Sequence, residues 1–189
     1  IHNKSWDSSR IHNKSWGSSV ITHFGNCVKW IMFGFSVAIL PFNLKVKIKK
    51  SKTAVVQRIK SLDWFENNGI DKKLKKITLY KKVSKDFKTQ ENTLNETDWK
   101  IGSIVEYENW QPEKDECGDG KFHACSKPFF CDEFRSKEDD KYIAIEVDKK
   151  DLFEWKDNPQ YPHKIAFRKG FVLWECDNFG KKINEKDKI

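Results

Sequence analysis

Residues Glu116 to Cys131, E-C-G-D-G-K-F-H-A-C-S-K-P-F-F-C, hold three of the five cysteines, two of the nine glycines and one of the five histidines, and no other stretch is as dense in chemistry. Asp119-Gly120 is a turn signal, because glycine enters positive φ without steric cost. Lys121 to Cys125 then alternates as a short strand, with His123 and Cys125 on one face and Phe122 on the other. Pro128 suits the first turn of a short helix carrying Phe129, Phe130 and Phe134, with Ser126 as its N-cap.

Working outward from this segment, further strands can be read on both sides. Lys141 to Asp148, K-Y-I-A-I-E-V-D, alternates most cleanly, with Ile143, Ile145 and Val147 inward. His163 to Arg168 and Phe171 to Cys176, separated by Lys169-Gly170, are the last strands, and Asn158-Pro159 with Tyr161-Pro162 makes a bend before them. On the N-terminal side lie strands at Lys76 to Val83 and Ser103 to Tyr107. A helix from about Thr53 to Glu66, with Val55, Val56, Ile59, Leu62 and Phe65 near one face, ends at Asn67-Asn68-Gly69. Five or six strands with one small helix imply an α+β unit around a curved, mixed sheet over residues 71–180, followed by a polar tail at 181–189.

The beginning of the chain is a repeat. I-H-N-K-S-W-D-S-S-R at 1–10 is followed by I-H-N-K-S-W-G-S-S-V at 11–20, and Ile21 and Ile31 continue the spacing. Short-period self-similarity predicts stacked coils, so residues 1–50 are expected to be the last coils of a truncated β-solenoid, with Ile1, Ile11 and Ile21 above one another. Residues 51–70 would be a capping and linking helix. The chain opens at Ile1, so earlier coils are expected before it. Trp30 to Phe42 is almost wholly apolar but shorter than the roughly 20 residues of a membrane-spanning helix, and no membrane association is predicted. Leu44 to Lys50, L-K-V-K-I-K-K, alternates as a lysine-bearing edge strand.

Composition bounds the rest. A chain of 189 residues, 38% hydrophobic and 14% aromatic, has enough apolar surface for one or two folded domains. An odd number of cysteines without a leader-like start points to reduced thiols and a cytoplasmic setting. The net charge of +8 is uneven: residues 45–88 carry 15 Lys/Arg against 4 Asp/Glu, while residues 89–189 carry 17 against 23. A basic 45–88 stretch is able to track nucleic-acid phosphate, although a solvated lysine face is the simpler reading.

The order of repeats, the L-Y-K-x-V strand, E-C-G-D-G-K-F-H-A-C and Y-P-H-K-I-A-F-R resembles uncharacterised phage and bacterial proteins in which a short-repeat β-solenoid precedes a C-terminal domain with a C-G-x-G-[LF]-H-[FA]-[SC] motif. The resemblance implies fold and phage-like context, not an activity. The repeat here is ten residues rather than eight, and Cys125 stands where such relatives often have serine. A second, looser likeness, in the order of elements, is to ADP-ribosyltransferase folds. It implies that His123 orients NAD, Tyr80 stacks on the nicotinamide and Glu175 binds a ribose hydroxyl.

Two further readings come from the residues. Cys117, His123, Cys125 and Cys131 offer three thiolates and an imidazole to zinc, at a spacing looser than that of usual zinc modules. The chain shows no Ser/His/Asp arrangement, no phosphate-cradling glycine loop and no usefully spaced pair of carboxylates. The expectation is therefore a binding or structural module without a cofactor, acting on a protein partner or self-associating through the repeats. An NAD-using enzyme and a zinc-stabilised domain are the alternatives, and whether the chain is an enzyme is left open.

Overall fold

The computed structural model describes residues 11–15, 19–22, 27–41, 44–135, 137–156 and 161–184, with side chains from residue 30 onward except residue 41. The first repeat copy, with Ile1, the Asn158-Pro159 bend and the last five residues of the polar tail lie outside them. The chain divides between Leu62 and Asp63 into two compact units.

In the first unit, strands β1 (Ile11–Ser15), β3 (Cys27–Met32) and β5 (Lys47–Lys50) form one three-stranded sheet, and β2 (Ser19–Thr22), β4 (Ser36–Pro41) and β6 (Val55–Ile59) form another. Every pairing is parallel. Parallel neighbours need a crossover, and here the strand of the other sheet supplies it. Trp30, Met32, Ala38, Leu40 and Ala54 pack as the buried cluster, with Leu44, Val46, Ile48 and Val56 against it. β5 is an edge strand with Lys47, Lys49 and Lys50 exposed, as its alternation predicts.

The ten-residue coil stack is not formed. Ile11 and Ile21 lie on strands of different sheets, where Ile11 pairs with Cys27 and Ile21 with Ala38. The capping helix is replaced by a strand and a shorter helix. Val55 to Ile59 is five residues of β-branched and long side chains paired with β4, and only Trp64–Asn68 is helical (α1). Asp63 caps α1 by accepting from the Glu66 amide, and Gly69 ends it in the left-handed region at φ 65°.

The second unit is β-rich. β7 (Lys76–Val83), β10 (Ile104–Glu106), β11 (Phe122–Cys125), β12 (Lys141–Asp148), β13 (Leu152–Phe153), β14 (Lys164–Phe167) and β15 (Lys169–Cys176) form one seven-stranded sheet in the order β10-β15-β12-β7-β11-β14-β13. All its pairings are antiparallel. Strands β8 (Lys88–Thr89) and β9 (Thr97–Asp98) make a separate pair. With 40% strand against 10% helix, the protein is mostly β, and this overturns the expectation of an α+β chain with solenoid coils and a mixed sheet. Pattern alone suggested the mixed sheet, because alternation marks a strand without fixing its direction.

The sheet rolls upon itself. β14 and β15 are one run broken only at Arg168, yet β14 borders β11 and β15 borders β12, so a single segment flanks β7, β11 and β12 on both sides. Gly170 permits this: a Cβ there would stand 2.7 Å from Ile145 Cγ2, so its absence answers to close packing where the sequence suggested a turn. Inside the roll lie Leu79, Val83, Trp99, Phe122, Ala124, Ile143, Ile145, Val147, Ile165, Phe167 and Val172.

Candidate functional site

β7 places Ile77, Leu79 and Val83 in the core at every second position, and Lys81 occupies the same register. An ammonium is thus carried to the inner face of the roll. Its Nζ donates to the His123 carbonyl at 2.9 Å and lies 4.9 Å from the centre of the Trp99 ring. Burial, with help from the nearby Arg135 and Lys164 cations, brings the Lys81 pKa down to about 8.

Lys81 lines a cavity of about 280 Å³ that also takes in Lys121, His123, Cys125, Cys131 and Lys164. The exposed turn Cys117–Asp119 stands at its rim. Gly120 shapes that turn: at φ +89° its missing Cβ would lie 2.9 Å from Gln111 Cβ, and its carbonyl accepts from the Gln111 amide at 2.8 Å. The turn signal read from Asp119-Gly120 is therefore correct, and it delivers Lys121 to the cavity.

Lys121 and Lys164 are each only 4% exposed. Lys121 Nζ donates to the Asp119 carbonyl at 3.1 Å. Lys164 Nζ donates to the Glu116 carbonyl and to Cys117 Sγ, both at 2.9 Å. It also lies over three rings, 4.3 Å from the centre of Tyr161, 5.4 Å from Phe134 and 5.7 Å from Trp155. Carbonyl dipoles and ring faces steady these cations without neutralising them. The cavity's other two cations have acidic partners: Lys82 pairs with Asp132 at 2.7 Å, and Arg135 with Glu91 and Asp140. Among the described residues, Lys81, Lys121 and Lys164 make no ion pair with a carboxylate.

His123 feels this charge. Burial first, then Lys164, Lys81 and Lys121, push its pKa down to about 2, so the imidazole is neutral across the physiological range. Its ring leans on Trp155 with centroids 5.7 Å apart, and Nε2 has no hydrogen-bond partner. The expected alternation holds, since Phe122 and Ala124 enter the core and His123 does not. The less greasy side expected for His123 is nevertheless walled by tryptophan.

No family model, curated protein or solved structure matches this chain.

The NAD trio is not assembled. Tyr80 and His123 both line the cavity, whereas Glu175 lies on β15, with β12 between it and β7, outside the lining. Tyr80 packs instead beneath Gly180, whose Cβ would come 3.0 Å from the phenol oxygen. The four proposed zinc ligands, Cys117, His123, Cys125 and Cys131, do border the same cavity. Among the described residues, however, no group of three or more His, Cys, Asp or Glu side chains is placed to hold a metal ion. Cys117 is taken up by Lys164, and Cys131 Sγ donates to the Tyr80 carbonyl at 3.2 Å. The Cys125 thiol is raised well above its usual pKa by burial and by its hydrogen bond with Cys131. Cys117, Cys125, Cys131 and Cys176 are all free thiols.

Ser126 does not cap the short helix that follows, a 3-10 turn over Pro128–Glu133 with Pro128 in its first turn. Its hydroxyl instead donates to Asn68 Oδ1 at 2.5 Å, tying α1 to the segment after β11. The basic 45–88 stretch reads as a solvated lysine face, which hides Lys81, and Lys121 and Lys164 stand in the acidic half of the chain, where no charge pattern singles them out. One signal was available: in K-I-T-L-Y-K-K-V, Lys81 interrupts an otherwise apolar inward register.

Proposed function

We infer that the C-terminal unit is a binding module for a small organic anion, taken into the rolled sheet by Lys81, Lys121 and Lys164. One observation carries this reading: three ammonium groups, two of them almost fully buried, border one cavity, and among the described residues none pairs with a carboxylate, the cavity's own Asp119 carboxylate accepting from Asn95 instead. Placing like charges together away from water is costly, and a carboxylate or phosphate entering the cavity would offset that cost with charge-assisted hydrogen bonds. A cavity of about 280 Å³ suits a metabolite-sized ligand rather than a polymer. The aromatic walls of Trp155, Phe134 and Tyr161 around Lys164 hold the charge in a fixed place, which favours selective recognition over diffuse attraction.

Titration calorimetry with short carboxylates and inorganic phosphate tests the reading. Binding should be lost in Lys164→Met and should weaken only modestly in salt, because a buried site is poorly screened. Wild-type protein that binds none of these anions, or Lys164→Met protein that binds as well as wild type, would contradict it.

A further inference from the structure

The three lysines differ in what they still have to give. Lys164 is committed to a carbonyl, a thiol and three rings. Lys121 is tied back to the turn that presents it. Lys81 makes one hydrogen bond, to the His123 carbonyl, and rests over Trp99 at the inner side of the cavity. Its amine is thus the group left to react, with two cations placed to hold the charged end of whatever enters.

We propose that Lys81 is a nucleophile that forms an imine with a small anionic carbonyl compound of the 2-oxo acid class, its carboxylate held by Lys121 and Lys164. The proposal rests on the anion-binding reading of the same cavity. An amine removed from water and set beside other cations is kept partly unprotonated near neutrality, which is the condition such a nucleophile needs. The nitrogen lone pair attacks the carbonyl carbon, the C–N bond forms as the carbonyl π pair moves to oxygen, and that oxygen takes a proton from nitrogen. Loss of the oxygen as water, with the second nitrogen proton, leaves C=N. Amine and carbonyl thus give imine and one water with no change of oxidation state. Cys125, on the same cavity, is buried with its thiol raised well above the usual pKa, and so does not compete as a thiolate. Burial, aided by Arg135 and Lys164 and opposed by Cys131 and Cys125, sets the Lys81 pKa at about 8 beside a neutral His123, so imine formation should speed up as pH rises through that value.

The test is reduction of the protein with borohydride in the presence of pyruvate, followed by peptide mass mapping, with lactate binding measured alongside by calorimetry. The expected result is a reduced adduct at Lys81 in preference to every other lysine, absent in Lys81→Met, and formed about tenfold or more less readily in Lys121→Met at subsaturating pyruvate. Lactate, which has the carboxylate but no carbonyl, should bind without forming an adduct. If lactate binds and pyruvate leaves no adduct at Lys81, the imine is overturned and the anion site stands. If neither compound binds, the imine is overturned, and the anion site falls with it when the other short carboxylates and inorganic phosphate also fail to bind. An adduct scattered over surface lysines, with Lys81 unexceptional, also overturns the imine.

Discussion

The two units bury tryptophan in opposite settings. Trp30 sits in a small cluster with Met32, Ala38, Leu40 and Ala54, made by strands that recur at similar intervals and pair in parallel. Trp99 sits in a loop between β9 and β10, with Phe122 and Phe167 edge-on at 4.9 and 6.2 Å and its Nε1 donating to Thr89 at 2.8 Å. The first core is a repeated pattern of strand pairs. The second is a closed arrangement of strands distant in sequence, and it tolerates a buried cation and an open cavity beside it. Each buried ammonium draws on the stability of the core around it, so the cavity lysines depend on the packing about Trp99.

The largest expected effect tests that frame. Trp99→Ala should cost about 3–5 kcal/mol and open the second unit, seen as lost hydrogen-exchange protection across β7, β11 and β14. Protection in β3 and β4 should be retained. Equal loss in both units would break the contrast drawn between them.

Acid comes next. His123 has a folded pKa of about 2 against an ordinary 6.5, so below pH 6.5 the unfolded chain binds a proton that the folded chain refuses. Stability present above that pH is lost as pH falls toward 2, by about 2–3 kcal/mol between pH 6.5 and 4.5. Glu91, held near 2 first by its hydrogen bond to Arg135, adds to the loss below its ordinary 4.5. Urea midpoints at a series of pH values measure the slope, and His123→Leu should flatten the part between 6.5 and 4.5. An unchanged slope in that variant would show that the buried imidazole is not its source.

Lys81→Met should act in the opposite direction. Its folded pKa of about 8 lies below the ordinary 10.5, so the charged ammonium burdens the fold below pH 8, and the burden lifts as pH rises from 8 to 10.5. Removing the charge should raise stability at pH 7 by about 1–2 kcal/mol, a melting-point gain of several degrees, while abolishing the site. A lower melting temperature would mean that Lys81 supports the core. The smallest effect belongs to the other unit: Lys49→Ser, on an exposed edge-strand position, should change stability by less than about 0.5 kcal/mol in the same melting assay.

Sequence pattern located the strands of the second unit well. Lys76 to Val83 and Lys141 to Asp148 are strands with the predicted ends, and the pairs at β11 and β14 fall within a residue or two, because period-two alternation of large apolar residues is a local property. The helix stop at Gly69 was also legible, since only local backbone freedom is involved. The helix expected over Val55, Val56 and Ile59 failed because apolar positions near helical spacing also fit a strand that has a neighbour to pair with, and β4 is that neighbour. The ten-residue spacing misled in the same way: Ile11 and Ile21 keep the interval but lie on strands of different sheets.

By itself the sequence determined the long alternating strands of the second unit, that Gly120 must turn, and that the segment around His123 carries the densest chemistry. The tertiary structure alone decided that one bent strand borders the sheet on both sides, that Glu175 lies apart from His123, and that Lys81, Lys121 and Lys164 meet at one cavity. The physical reason is range. Turn and strand preferences are set by each residue and its immediate neighbours, whereas the pKa of an ammonium and the company it keeps depend on side chains contributed by strands far apart in the chain.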